Sequence, residues 1–382
     1  MGMVGGGTDA FIGNIHRIAS RLDGEIELVC GAFSRDPEKS QQFGKSLHLA
    51  PERCYENYQR MIQAEAELSA DKRMEFVAIV TPNNSHFAIA SLAIAKGFHV
   101  MCDKPVTFDL QQAMQLKQQL ENSGRLFGLT HTYTAYPLVQ EARQRVLNGE
   151  LGRITKIVAE YNQGWLAAKM KADQGKQAAW RLDPEQAGAG GCVGDIGVHA
   201  ANLAEFISGL SIVEVLAELN TVEPGRHLDD DGAALLRFSN GCKGVLFASQ
   251  IAVGEENNLR IRIYGSKGGL EWQQQEPNSL YLKWGDKPEQ VLRTGNTYLG
   301  RAAQANTRTP SGHPEGYLEA FANLYKHFAL AIKTGRGQSI APGIKDVNYV
   351  PGVKEGVAGM AFIEAVVASS LQGGTWVKLQ RN

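Results

Sequence analysis

The chain reads as an α/β protein: a doubly wound parallel sheet first, then a second α/β part built on an open, mostly antiparallel sheet. Three observations predict this. Over the first third, short continuous apolar runs alternate with helical stretches, as buried parallel strands require when helices cover both sheet faces. After residue 150, strand-like runs follow one another with few helices between, and several alternate apolar and polar residues, the mark of antiparallel strands with one wet face. The length of 382 residues is enough for two sizeable cores.

Element by element, MGMV (1–4) is apolar and runs into glycines, and residues 10–22 have a helical pattern. EIELVCGAF (25–33) reads as a strand, and DPEKSQQFG (36–44) starts a helix with Asp36 as N-cap and Pro37 in the first turn. FVAIV (76–80), FHVMC (98–102) and RLFGLT (125–130) are apolar runs separated by helical stretches at 84–96 and 109–122. RITKIVAEYNQ (153–163), IVEVLAELNTV (212–222), GAALLRFSN (232–240), CKGVLFASQIA (242–252), LRIRIYGS (259–266), GLEWQQQ (269–275) and SLYLKW (279–284) are the later strands. The turn residues in FSNGCKG (238–244) and YGSKGG (264–269) fit hairpins. Residues 286–314 are polar and read as a long loop, and helices return at 315–333 and 355–371. The expected domains are 1–130 and 131–382, with the C-terminal helix able to pack back on the first.

Composition removes several function classes. Lys and Arg total 39 against 40 Asp and Glu, a formal charge of −1. Such a balance offers no electrostatic footprint for nucleic acid or an anionic membrane. No apolar run approaches the roughly 20 residues of a membrane span. A glycine cluster at 5–7 stands where a secretory leader would begin. Cys30, Cys54, Cys102, Cys192 and Cys242 are odd in number, scattered and without a C-x-x-C pair. That argues against a zinc ribbon or a disulfide framework and for a cytoplasmic protein.

Five stretches carry chemistry. GGGTDAFIG (5–13) follows the first strand; a glycine-rich turn into a helix suits a pyrophosphate, although a plain strand-to-helix turn has the same composition. Gly5 and Gly7 fit G-x-G, and Phe11 and Ile12 open the helix, but five residues rather than two separate Gly7 from Gly13. At the tip of the second strand stand Ser34 and Arg35. An acidic residue there would bind a ribose 2′-hydroxyl and an Arg a 2′-phosphate, so the tip leans towards NADP or dual use over NAD alone; a merely solvated Arg is the alternative. IVTPNNSHF (79–87) and CDKPVT (102–107) end the next two strands, where ligands sit in such sheets. The fifth stretch, WRLDPEQAGAGGCVGDIGVHAANLAEFISG (180–209), places Asp195 and His199 four apart at a helix start. Helix capping, base orientation and metal ligation all remain open for that pair. A metal would need a third ligand, for which His313 or the run Asp229-Asp230-Asp231 is available without a supporting spacing.

Together and in this order, these stretches resemble the glucose–fructose oxidoreductase / inositol dehydrogenase family, written Gfo/Idh/MocA. The resemblance rests on TPN-x-x-H (81–86), DKP (103–105, where the family usually has Glu-Lys-Pro), GELG-x-I (149–154) and WR-x-DP…G-G…D-I-G-x-H (180–199). It implies an N-terminal Rossmann domain and a C-terminal domain with an open sheet. It also implies NAD- or NADP-dependent hydride transfer to or from a sugar, polyol or sugar derivative. By resemblance Lys104, Asp195 and His199 are catalytic. Thr81, Pro82, Asn83, His86, Asp103 and Lys104 line the cofactor with Gly5, Gly7, Phe11, Ile12, Ser34 and Arg35. Tyr133, Trp165, Arg181 and His313 fall near the expected substrate cleft, as do Tyr136 and Trp180. No metal is needed. The resemblance further implies a homo-oligomer, dimer or tetramer, through the C-terminal sheet. Competing functions are an NAD-dependent glycosidase acting by transient oxidation, a dinucleotide-sensing regulator and a metal-dependent lyase.

Overall fold

The computed structural model describes residues 1–8, 10–167, 180–181, 183–335 and 349–381. The described residues fall in two units: Met1–Thr130 with 321–335 and 349–357, and those of 131–320 with 358–381.

The first unit contains β1 (Gly2–Gly5), α1 (Phe11–Arg21), β2 (Cys30–Ala32), α2 (Pro37–Ser46), α3 (Tyr58–Glu67), β3 (Phe76–Val80), α4 (His86–Ala95), β4 (His99–Cys102), α5 (Leu110–Ser123) and β5 (Phe127–Leu129). Its sheet runs β2-β1-β3-β4-β5, and every pair is parallel. Met3, Cys30, Val77, Ile79, Val100, Met101 and Leu129 have no exposure. Burial on both faces is why these runs are continuously apolar rather than alternating. Asp36 caps α2 as expected, accepting the Glu38 and Lys39 N–H groups at 3.0 and 3.3 Å. Asn57 and Asp109 cap α3 and α5 in the same way.

The strand expected at 25–33 shortens to three residues. Outside β2 a single parallel bridge joins Gly31 to Cys54, and the Tyr55 N–H meets Gly31 O at 2.8 Å. Cys54 stands where the outer strand of a six-strand doubly wound sheet, order 3-2-1-4-5-6, would run. Only Cys54, Tyr55 and Glu56 separate the turn at Pro51–Arg53 from Asn57, so no longer strand fits.

The second unit adds α6 (Pro137–Leu147), β6 (Ile154–Asn162), α7 (Pro184–Ala187), a π-helical turn (Val193–Gly197), α8 (Val198–Ser208), β7 (Ile212–Asn220), β8 (Asp231–Phe238), β9 (Lys243–Ser249), β10 (Asn258–Gly265), β11 (Gly268–Gln273), β12 (Ser279–Trp284), β13 (Gln290–Arg293), α9 (Arg301–Ala305) and β14 (Val377–Lys378). Helices α10 (Tyr317–Thr334) and α11 (Val353–Leu371) divide between the two units. The nine strands run β13-β12-β11-β10-β6-β9-β8-β7-β14. The β6–β9 pair is parallel and the rest antiparallel. One face is core: Ile157, Ala159, Val215, Ala217, Leu236, Leu259, Ile261 and Ile263 are buried. Trp272 is fully buried, its ring 5.3 Å from that of Tyr136; each such burial contributes ~1.5–3 kcal/mol. Ser369 and Ser370 on α11 accept the Ala217 and Leu219 N–H groups of β7 at 2.8 and 3.0 Å. Val213, Leu235 and Val291 are exposed.

The stretch 286–314 is not the structureless loop that its polarity suggests. Gln290–Arg293 pairs with β12, and Arg301–Ala305 forms a helical turn. Glu315, almost fully buried, accepts the Thr309 N–H at 2.6 Å and pins the end of the stretch. No helix among the described residues is long and apolar enough to cross a membrane.

Candidate active site

In the first unit the chain leaves β1 for β2 on one side and reaches β3 on the other, so the carboxyl ends of β1 and β3 flank the switch point where doubly wound sheets bind ligands. The glycines there have separate steric tasks. Gly5 has φ +82°, and a Cβ on it would lie 2.4 Å from Val80 O at the end of β3. A Cβ on Gly7 would lie 2.8 Å from Phe33 O, beyond the end of β2. Gly6 (φ +71°) abuts Gly13, whose Cβ would stand 2.4 Å from Gly6 Cα. The spacing that fails G-x-G-x-x-G thus still supplies a third glycine for close packing of helix on loop. Gly6 and Gly13 lie outside the G-x-G pair, so the motif alone does not point to them. Arg17, which carries no motif signal, braces the loop: Nη1 donates to Gly6 O at 2.6 Å, and its guanidinium lies 5.0 Å from the Phe43 ring centroid.

Helix α1 begins at Phe11 with Ala10 at the cap position, a side chain that accepts no hydrogen bond. Phe11 is exposed and Ile12 half-buried. Such an N-terminus with such a loop suits a pyrophosphate, and glycine at 5, 7 and 13 is what lets the loop pack closely on Val80, Phe33 and its own helix. Ser34 Oγ accepts the Asp36 N–H at 3.1 Å, and Arg35 is exposed.

At the end of β3, Thr81 Oγ1 accepts from Ser85 at 2.7 Å, Pro82 is half-buried and Asn83 is buried. His86 has no exposure: Nδ1 is 2.8 Å from Pro105 O and Nε2 2.9 Å from Thr81 O. It therefore ties the turn after β3 to the turn after β4. Burial pushes its pKa down, against the two carbonyls and Asp103, which favour the charged form. Asp103 Oδ1 accepts the Lys104 N–H at 2.9 Å and the Thr130 hydroxyl at 2.7 Å.

In the second unit Asp195 does not cap a helix. It sits inside the π-helical turn, and His199 follows in the first turn of α8; single π turns recur at functional sites. The turn is held from below by Asp229, a carboxylate that sequence reading had offered only as a metal ligand. It accepts Gly191 N–H at 2.6 Å and Val193 N–H at 2.8 Å, and burial raises its pKa. Asp230 accepts from Val222, Glu223 and Arg226. Backbone N–H groups and Arg226 thus absorb Asp229 and Asp230, Asp231 accepts from the Asn220 side chain at 3.4 Å, and no group of three possible metal ligands occurs among the described residues.

Asp195 Oδ2 accepts Gln250 Nε2 at 2.9 Å and lies 3.5 Å from Arg181 Nε. The Arg181 guanidinium lies 4.5 Å from the Trp180 ring centroid. His199 is buried, with ring centroids of Tyr133, His131 and Tyr161 at 4.9, 5.5 and 6.3 Å. The Tyr133 and Tyr161 hydroxyls are hydrogen-bonded to each other. Tyr161 donates to Asn257 Oδ1 at 2.7 Å, Gln163 to the same oxygen at 2.6 Å, and Trp165 Nε1 to Gln163 Oε1 at 2.9 Å. Burial raises the pKa of Tyr133 and Tyr161, so both stay phenols. Of the expected substrate residues, Tyr133 and Trp165 belong to this hydrogen-bonded, aromatic network, and Arg181 stands against Asp195 and Trp180. His313 is exposed, in a turn closed by its own N–H on Pro310 O at 3.2 Å. Tyr136 is core. Gln250, Tyr161, Gln163, His131 and Asn257 carried no motif signal.

Two family models match: the oxidoreductase family NAD-binding Rossmann fold over residues 1–131, and the GFO/IDH/MocA C-terminal domain over 139–271. The chain is 33% identical over 387 residues to a Bacillus subtilis (strain 168) protein named uncharacterized oxidoreductase YfiI, covering 99% of this chain and 96% of that protein. An inositol dehydrogenase homolog from Azotobacter vinelandii, solved with NADH and myo-inositol, superposes with a TM-score of 0.90 at 33% identity, covering 99% and 96%. An oxidoreductase from Sinorhizobium meliloti gives 0.88 at 42% identity, covering 99% and 98%.

Proposed function

From the premise that the chain belongs to the Gfo/Idh/MocA family of NAD-binding oxidoreductases, we propose that it is a dehydrogenase acting on a secondary hydroxyl of a sugar, polyol or sugar derivative. The observation that carries this is Asp195 in a π turn with His199 in the helical turn that follows it, beside hydrogen-bonding and aromatic side chains. Tyr133, Trp165 and Arg181 offer the flat faces and donors that a polyhydroxylated ring needs. The inositol dehydrogenase homolog, solved with NADH and myo-inositol, supports the same substrate class.

When bound, the nicotinamide accepts or returns the hydride. His199 takes the proton from the reacting hydroxyl, the general-base role for which imidazole is the commonest side chain. Asp195, fixed by Gln250 and Arg181, orients that imidazole or a neighbouring substrate hydroxyl. The Lys104 ammonium stabilises the alkoxide as it forms. Gly5, Gly6, Gly7 and Gly13 hold the backbone against the pyrophosphate.

The strand tip supports NADP or dual use. The Asp36 carboxylate is occupied in capping α2, and Arg35 is exposed beside Ser34. A homo-oligomer through the second sheet fits the exposed Val213, Leu235 and Val291, and light scattering after size exclusion tests it.

The deciding experiment follows absorbance at 340 nm with NAD⁺ or NADP⁺ over a panel of inositols, aldoses and sugar derivatives. A rise with one compound is expected. Tight cofactor binding with no rise on any compound would overturn the dehydrogenase reading.

A further inference from the structure

Behind Lys104 lies a buried network that the steps above do not use. His16, on α1, has no exposure. Its Nδ1 is 2.6 Å from the Tyr325 hydroxyl, and the ring meets Phe321 edge-on at 4.7 Å. Its Nε2 is buried without a hydrogen-bond partner and lies 4.0 Å from Asp103 Oδ2. The other oxygen of that carboxylate accepts the Lys104 N–H at 2.9 Å. The Asp103 side chain therefore spans from a buried imidazole to the amide of the lysine.

Electrostatics selects the tautomer. Burial keeps the ring neutral, with its pKa pushed down to about 4; Asp103 opposes this and Arg17, next along α1, assists it. A neutral ring has one N–H. Placed on Nδ1, it would leave the Nε2 lone pair facing a carboxylate. Placed on Nε2, it faces the carboxylate with a positive end, while the Tyr325 hydroxyl donates to Nδ1.

We propose that His16 is a positioning residue for Lys104: its Nε2–H holds Asp103 in the orientation in which Oδ1 fixes the Lys104 amide and hence the direction in which the lysine leaves β4. Tyr325 sets the tautomer. The effect on turnover rests on the role given to Lys104 above; the effect on the amide does not.

The test is amide hydrogen exchange in the full chain, by NMR. In His16→Phe, which fills the space without a donor, the Lys104 amide exchanges about tenfold faster, the loss of a hydrogen bond to a charged acceptor. Amides of Ile79 and Leu129 keep their protection. His16→Gln, whose side-chain N–H reaches towards the Nε2 position, restores the wild-type rate. In an Asp103→Asn background His16→Phe adds nothing further. Unchanged Lys104 exchange in His16→Phe, equal acceleration across the sheet, or no rescue by Gln would each overturn the proposal. Should His16→Phe not fold, the wild-type imidazole nitrogen shifts decide it: a proton on Nε2 supports the proposal and one on Nδ1 refutes it. Turnover of Lys104→Ala separates the two readings, since full activity there removes the role of Lys104 and leaves the exchange result standing.

Discussion

Replacing Gly13 with Ala sets two known effects against each other, so its sign is informative. Gly13 lies inside α1. In an open helix the change would stabilise by ~1 kcal/mol, because Ala is the better helix former. Here the new Cβ would stand 2.4 Å from Gly6 Cα and 2.7 Å from Gly6 O, both backbone atoms. Ordinary contact begins at 3.4 Å, so helix and loop must part by 1.0 Å. Under the proposed function, a shift of that size would carry a loop N–H out of hydrogen-bond range of the bound phosphate. Each such charge-assisted bond is worth ~1.5–3 kcal/mol, or about 10- to 150-fold in affinity. The assay is NADH and NADPH fluorescence titration of Gly13→Ala, with circular dichroism as the fold control. Gly285→Ala, where a Cβ meets nothing within 4 Å, serves as the neutral comparison. A dissociation constant within twofold of wild type would refute the assignment of Gly13 to dinucleotide binding.

Four further outcomes are expected. Because folding lowers the His16 pKa from 6.5 to about 4, its contribution to stability is complete above 6.5 and is lost as pH falls towards 4. The gap is worth about 3 kcal/mol, so thermal unfolding curves of wild type decline more steeply over that window than those of His16→Gln. Arg35→Ser raises the KM for NADP⁺ about tenfold and leaves that for NAD⁺ unchanged, as steady-state kinetics with both cofactors will read. Asp229→Ala strands the buried Gly191 and Val193 N–H groups at ~1–3 kcal/mol each; the melting temperature drops and turnover falls with it, and an unshifted melt would deny Asp229 its supporting role. His199→Ala and Lys104→Ala each lower turnover ~10²–10⁴-fold, and in His199→Ala NADH affinity stays within about twofold of wild type, as paired kinetic and fluorescence measurements will check.

Periodicity made the parallel strands legible because each is buried on both faces, as with Phe76–Val80. The cap of α2 was legible because Asp36-Pro37 is a local signal. Helix α6 was not, since it is buried nearly all round, from Leu138 through Arg143, and shows no apolar stripe. The edge strand Gln290–Arg293 was hidden because only half its surface needs to be apolar to sit on β12. Asp195 and His199 stood out through their motif. Their supports did not: Gln250 is 55 positions from Asp195, and Asp229 is 38 from Gly191. Such partners are set by tertiary placement, which single-sequence spacing does not carry. Asp229 also shows how composition misleads, because three consecutive acids resemble a cation site until the backbone donors that Asp229 and Asp230 accept are counted.

A chain of net charge −1 has no general attraction for a pyrophosphate, so under the proposed function the attraction has to be local to the glycine loop. Arg17 would support it from behind. Its Nη1 holds the Gly6 carbonyl at 2.6 Å. The peptide unit is planar and trans, so a carbonyl pinned towards Arg17 forces the N–H of Gly7 in the opposite direction. The guanidinium, which burial costs part of its hydration, as its lowered pKa records, thus both orients a donor and deepens the dipole behind it. Glycine at position 6, with φ +71°, is what lets the peptide turn that way. Loop sequence, helix residue and peptide geometry act as one device, and its length is set by the contact of Gly6 with Gly13 rather than by the number of residues between the glycines.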